Sequence, residues 1–198
     1  LLTSLRDEKI FIPSACGGKG SCGYCKVKVL DGGGPVLATE LPHLTEEEKN
    51  DQVRLSCQLK VKQDIKIEIP EELFNVREYD AVVEKITDVS PKIKRVRFKL
   101  PEGEHMEFKP GQYIQIKAPL YEGSESDEEV FRAYSIASSA RDTGAVELFI
   151  GYTGGIATTY VHKHLKEGDV VNLNGPYGDF YYKDDDMGPM LMIATGTG

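Results

Sequence analysis

Tryptophan is absent from these 198 residues, and so is any surplus of positive charge. Lys and Arg number 24 against 32 Asp and Glu, a formal net charge of −8. A chain this acidic lacks the basic face that neutralises phosphates, which argues against general nucleic-acid binding and against docking on anionic lipid. No apolar run approaches the ~20 residues that span a bilayer. The longest, Met190 to Ala194, reads as a buried strand. No initiator Met and no signal peptide open the sequence. Leu1 to Arg6 reads as the interior of a helix, and Thr195-Gly196-Thr197-Gly198 follows a strand-like run. The sequence is therefore expected to be an internal piece of a longer chain. His43, His105, His162 and His164 are scattered. Surface or packing positions are expected for them, and no catalytic residue is assigned.

What the chain does have is four cysteines, three of them within ten residues: Cys16-x5-Cys22-x2-Cys25, then Cys57. A disulfide framework suits much shorter secreted chains. Structural zinc usually takes a short Cys knuckle at both ends of the site, and Cys57 has no second cysteine near it. A loop of three thiolates with one distant thiolate on a strand suits a two-iron, two-sulfide cluster. The loop is rich in glycine: Gly17, Gly18, Gly20 and Gly23. Glycine tolerates unusual dihedrals and lets backbone N–H groups approach the sulfurs, where they stabilise negative charge and tune the potential. Cys16, Cys22, Cys25 and Cys57 are the expected metal ligands.

Residues 1–70 read as one block. A short helix leads to the cysteine loop, and Lys26 to Leu30 alternates as a strand. Thr45-Glu46-Glu47-Glu48 has the spacing of a capping box. Val53 to Leu59 and the alternating Ile65, Ile67 and Ile69 read as further strands. Residues 71–79 read as a linker. From residue 80 to 185 short β-type runs dominate: Ala81 to Ile86, Val96 to Leu100, Tyr113 to Ile116 and Val146 to Ile150. Turn signals separate them, a pattern of antiparallel barrels or sandwiches. One helix is expected over Ala157 to Leu165. The acidic run Glu122 to Glu129 reads as a solvated loop. Residues 189–198 read as the first strand of an α/β domain.

Three features of the second block could hold a dinucleotide. Arg132-Ala133-Tyr134-Ser135 offers a guanidinium that matches paired phosphate oxygens, a Tyr two residues on that can share its face of a strand, and a hydroxyl. A surface Arg beside a core Tyr would look the same. Gly154-Gly155-Ile156-Ala157-Thr158 opens the expected helix, and helix N-termini attract anions, though a plain strand-to-helix turn is the alternative. Gly175-Pro176-Tyr177-Gly178 is followed by an apolar strand and Thr195-Gly196-Thr197-Gly198, the way a nucleotide-binding α/β domain begins.

In this order the motifs resemble the ferredoxin–NADP reductase superfamily. With a cluster domain placed first, the chain resembles the family of F subunits of sodium-translocating NADH:quinone oxidoreductases, and also the reductase components of bacterial oxygenases. The resemblance implies an α+β fold class: a β-grasp [2Fe-2S] ferredoxin-type domain, an antiparallel FAD-binding β-barrel, and only the start of an α/β nicotinamide-binding domain. It implies that Arg132 holds the FAD pyrophosphate, Tyr134 stacks on the isoalloxazine and Ser135 sits near its reactive nitrogen. It further implies that Gly155, Ala157 and Thr158 bind the pyrophosphate, that Phe149 and Ile150 line the flavin, and that Thr195 and Gly196 belong to the nucleotide turn. The implied function is an oxidoreductase passing electrons from NAD(P)H through FAD to the cluster and on to a downstream acceptor protein. The implied location is cytoplasmic, at the inner face of a membrane. The rival readings are a non-enzymatic ferredoxin-type carrier with a partner-docking barrel, an oxygenase reductase component, and a zinc-stapled interaction module.

Overall fold

The computed structural model describes residues 1–124, 129–181, 188, 189, 191 and 193. The chain divides into two compact units, Leu1–Arg77 and Glu78–Gly198. Of the strand expected over Met190 to Ala194, Leu191 and Ile193 are described; neither lies in a strand and both are exposed. Met190, Met192, Ala194, Thr195 and Gly196 lie outside the described residues, so the α/β start stays an expectation.

The first unit is built on a three-stranded antiparallel sheet. Its central strand β1 (Lys26–Asp31) lies between β2 (Val53–Leu55) and β3 (Lys66–Glu68). Alternation does the work in β1: Val27 and Val29 point inward and are buried, as a period of two requires. They meet Leu2 from helix α1 (Leu2–Asp7), together with Ile12, Leu44, Leu55 and Leu59. Helix α2 (Glu46–Asn50) starts where the capping box placed it. The Thr45 hydroxyl accepts from the Glu48 N–H at 3.1 Å, and the Glu48 carboxylate accepts from the Thr45 N–H at 2.9 Å. Two expectations are corrected. The strand read over Val53 to Leu59 ends at Leu55, because the chain turns there: Gln58 and Leu59 donate back to the Leu55 carbonyl. The linker read over 71–79 holds a 3-10 turn at Glu71–Asn75, after which a strand begins at Arg77.

The second unit is a six-stranded antiparallel sheet: β4 (Arg77–Ser90), β5 (Ile93–Lys99), β6 (Tyr113–Ala118), β7 (Val130–Ser135), β8 (Ala145–Gly151) and β9 (Val170–Tyr177). Their spatial order is β7-β6-β9-β4-β5-β8. The sheet curls until its two ends meet. Just past β7 the Ala137 N–H donates to the Glu147 carbonyl of β8 at 2.8 Å, and the Glu147 N–H donates to Ser138 Oγ at 3.2 Å. The interior is filled by Val83, Val96, Phe98, Ile114, Ile116, Val146, Leu148 and Leu173 among others, all almost fully enclosed. The helix expected over Ala157 to Leu165 is composite: an α-turn α3 (Ile156–Thr159) runs into a π-helical turn at Tyr160–His164.

Candidate functional site

Cys16, Cys22 and Cys25 lie on the loop between α1 and β1, and Cys57 follows β2. All four are free thiols, so no disulfide framework exists. They stand as two pairs. Cys22 Sγ donates to Cys16 Sγ at 3.4 Å, and Cys25 and Cys57 share a hydrogen bond. Among the described residues no three Cys, His, Asp or Glu side chains converge on one point that a single ion could occupy. A mononuclear zinc site needs its four ligands around one centre; two thiol pairs suit a two-iron cluster with two ligands on each iron.

The loop also arranges charge. Burial pushes the Cys16 thiol up, but the Ser21 N–H and contacts from Cys22 and the Ser21 side chain prevail and lower it to about 6. For Cys57 the hydrogen bond from Cys25 is the leading influence. Burial opposes it, the Gln58 amide and the Gly20 N–H reinforce it, and the thiol falls to about 6. Gln58 Nε2 stands 3.5 Å from Cys57 Sγ. Cys22 is raised, chiefly by burial. Cys25 is raised by its hydrogen bond to Cys57 and by burial. Each pair thus holds one thiol inclined to ionise beside one that keeps its proton. Donors already aimed at the sulfurs are what a cluster of net negative charge requires. Gly20 shows why the loop needs glycine. Its φ is +74°, and a Cβ there would sit 2.5 Å from Gln58 Nε2, evicting the amide that serves Cys57.

Sequence reasoning missed what holds Cys57 in place. The Glu40 carboxylate is fully buried and accepts from Arg54 Nε at 3.0 Å and from the N–H groups of Leu37 and Leu55 at 2.8 Å. Arg54 Nη1 donates to the carbonyls of Gly33 and Gly34. The pair ties the 33–40 loop to the strand that delivers Cys57. Burial pushes the Glu40 carboxyl up, but Arg54 and the two N–H donors outweigh it and hold it below the ordinary range. No sequence spacing announces a bond between residues fourteen apart with a helix between them. The only signal was an Arg inside an otherwise apolar strand.

In the second unit, α3 lies against β6 and β7. That brings the start of the helix, Gly155 to Thr158, to the strand carrying Arg132 and Tyr134. These two share a face of β7, opposite Ile116 and Ile114 of β6. Tyr134 packs on the barrel core. Burial pushes its phenol up to about 12, against the nearby Arg132 charge. Arg132 Nη1 donates to the Phe131 carbonyl at 2.7 Å, and Ser135 is exposed. The Thr158 hydroxyl is engaged within the turn: it donates to the Gly155 carbonyl at 3.0 Å and meets Thr153 Oγ1 at 3.2 Å. Phe149 and Ile150 point to opposite faces of β8. Ile150 is completely enclosed in the core while Phe149 is half-buried.

Residues 80–182 match the oxidoreductase FAD-binding domain family. The chain belongs to that family. Residues 1–62 match the 2Fe-2S iron-sulfur cluster binding domain, so the two cofactors are FAD and a [2Fe-2S] cluster. Curated relatives include the F subunit of the Na(+)-translocating NADH-quinone reductase of Idiomarina loihiensis, 40% identical over 232 positions that take in all of this chain and 56% of that protein. Its counterpart in Neisseria meningitidis is 38% identical, over all of this chain and 57% of that protein. The chain thus spans just over half the length of these relatives. Among solved structures, an Amycolatopsis cytochrome P450 reductase is 28% identical with a TM-score of 0.61, over 95% of this chain and 55% of that one. The ferredoxin reductase of carbazole 1,9a-dioxygenase shares the fold at 24% identity and a TM-score of 0.61, over 94% of this chain and 54% of that one. Among the described residues no helix is long and apolar enough to cross a membrane.

Proposed function

We propose that this oxidoreductase is an electron-entry module that takes a hydride from NADH and delivers single electrons to a protein acceptor. FAD supplies the conversion of a two-electron donor into one-electron steps, and the cluster supplies the exit. The chain's own residues bind and orient these groups. Cys16 and Cys22 hold one iron, and Cys25 and Cys57 hold the other. The N–H groups of Ser21 and Gly20 and the Gln58 amide offset charge at the sulfurs. Arg132 neutralises the FAD pyrophosphate together with the backbone at Gly155 and Ala157, in a turn shaped by Thr158. Tyr134 supplies a stacking face, Ser135 an exposed hydroxyl near the reactive nitrogen, and Phe149 an apolar wall. Thr195 and Gly196 belong to the nicotinamide-nucleotide turn.

The observation that carries this reading is the pairing of the four thiols across the glycine loop and β2. The names of the curated relatives, subunits of an NADH-quinone reductase, support such a complex as the setting, with its other subunits as acceptor; the inner face of a membrane is the proposed location. The test is anaerobic purification of the full-length protein with iron, acid-labile sulfide and FAD determined, followed by rapid mixing with NADH. Two irons, two sulfides and one FAD per chain are expected, with flavin absorbance bleaching before the cluster's. Zinc in place of iron, or a flavin that NADH leaves oxidised, would falsify the reading.

A further inference from the structure

One buried polar group beside the cysteines takes no part in the contacts that hold them. Ser56 is completely enclosed, and its hydroxyl has no hydrogen-bond partner among the described residues. Its backbone is fully engaged: the N–H donates to the Cys25 carbonyl at 2.8 Å, and the carbonyl accepts from the Leu2 N–H at 3.1 Å. The first of these bonds fixes where the side chain goes. Lys26 pairs with Leu55 across β1 and β2, so one step further Ser56 stands directly opposite Cys25. Opposed residues of an antiparallel pair put their side chains on the same face with Cβ atoms roughly 5 Å apart. The Ser56 hydroxyl and the Cys25 sulfur, both enclosed, therefore face the same small space. A hydroxyl so enclosed needs an acceptor, and a sulfur carrying metal-bound negative charge is a better acceptor than a thiol.

We propose that Ser56 donates its hydroxyl proton to Cys25 Sγ in the cluster-loaded protein and thereby raises the reduction potential of the [2Fe-2S] centre. The proposal rests on the assignment of the four cysteines as ligands. Its chemistry is a charge-assisted hydrogen bond to a ligand sulfur, which favours the state with one more electron. Ser56 is a positioning and tuning residue: it touches a ligand, and no bond to it forms or breaks.

The experiment is a redox titration of the reduced-cluster EPR signal in full-length parent, Ser56→Ala and Ser56→Thr. Ser56→Ala is expected to hold parent amounts of iron and sulfide while its reduction equilibrium moves about tenfold toward the oxidised form, about 59 mV for a one-electron couple. Ser56→Thr, which keeps the hydroxyl, is expected to stay with the parent. Resonance Raman gives an independent reading. The Fe–S(Cys) bands of the parent should move on transfer to D2O, and Ser56→Ala should lose part of that movement. An alanine variant with a full cluster and an unshifted potential overturns the inference and leaves the cysteine assignment standing. So does a Thr variant shifted as far as Ala, or a parent whose bands ignore D2O should Ser56→Ala not load. A parent without iron removes the cysteine assignment and this inference together.

Discussion

Arg132 is a charge on a strand whose inward neighbours are apolar, and it stands beside a helix start. If its guanidinium pairs with a diphosphate, removing it leaves that charge with little beyond the dipole of a short helix, on the order of 1 kcal/mol. Tyr134→Phe keeps the ring and loses only a hydroxyl. Charge-assisted pairs are roughly twice as strong as neutral ones. Arg132→Ala should therefore cost about 2 kcal/mol more flavin affinity than Tyr134→Phe, a factor of about thirty in Kd. Titration of FAD into both apo-proteins, followed by flavin fluorescence, reads this directly. Equal losses would make Arg132 a surface charge that merely sits near the turn.

The next scale is the element, where the buried Glu40–Arg54 pair ties a loop to β2. Breaking such a pair from one side strands the other charge, which typically costs about 3–5 kcal/mol. Glu40→Gln should lower the unfolding free energy by about that amount at pH 7, measured by chemical denaturation. The acid limb should change too. Glu40 titrates below an unfolded carboxyl, for which about 4.3 is usual. Its contribution is therefore complete above that value and is lost as pH falls through the folded one. The Gln variant should start weaker and show a shallower acid slope. If both proteins lose stability in parallel below about pH 4.3, the pair is not the source. This tie also marks how far the sequence could be read. Local signals were legible: the capping box at Thr45, the alternation in β1, and the cysteine spacing. Glu40 and Ser56 were not, because their meaning lies in partners brought near only by strand pairing. The length of β2 was overestimated because Cys57-Gln58-Leu59 keeps β-like composition through a turn. Phe149 and Ile150 are neighbours in sequence, but the strand's period of two turns their side chains to opposite faces.

For the whole molecule the relevant fact is two cores, one around Val27 and Leu55 and the other around Phe98 and Ile114. The cysteines belong to the first and the Arg132 motif to the second, so damage to one site should stay local. Cys57→Ser should abolish or severely weaken the cluster while FAD content stays at the parent level, checked by absorbance and by flavin released on denaturation. Flavin lost together with iron would show that the two units do not hold their cofactors independently. The seam at Ala137 and Glu147 carries one more consequence. An open sheet of this size would end in two bare edges at β7 and β8, each a row of unpaired N–H and C=O groups that another chain could extend. Where the chain leaves β7, Ala137 and Ser138 bond to Glu147, so part of the β8 edge is taken up within the unit and is closed to another chain.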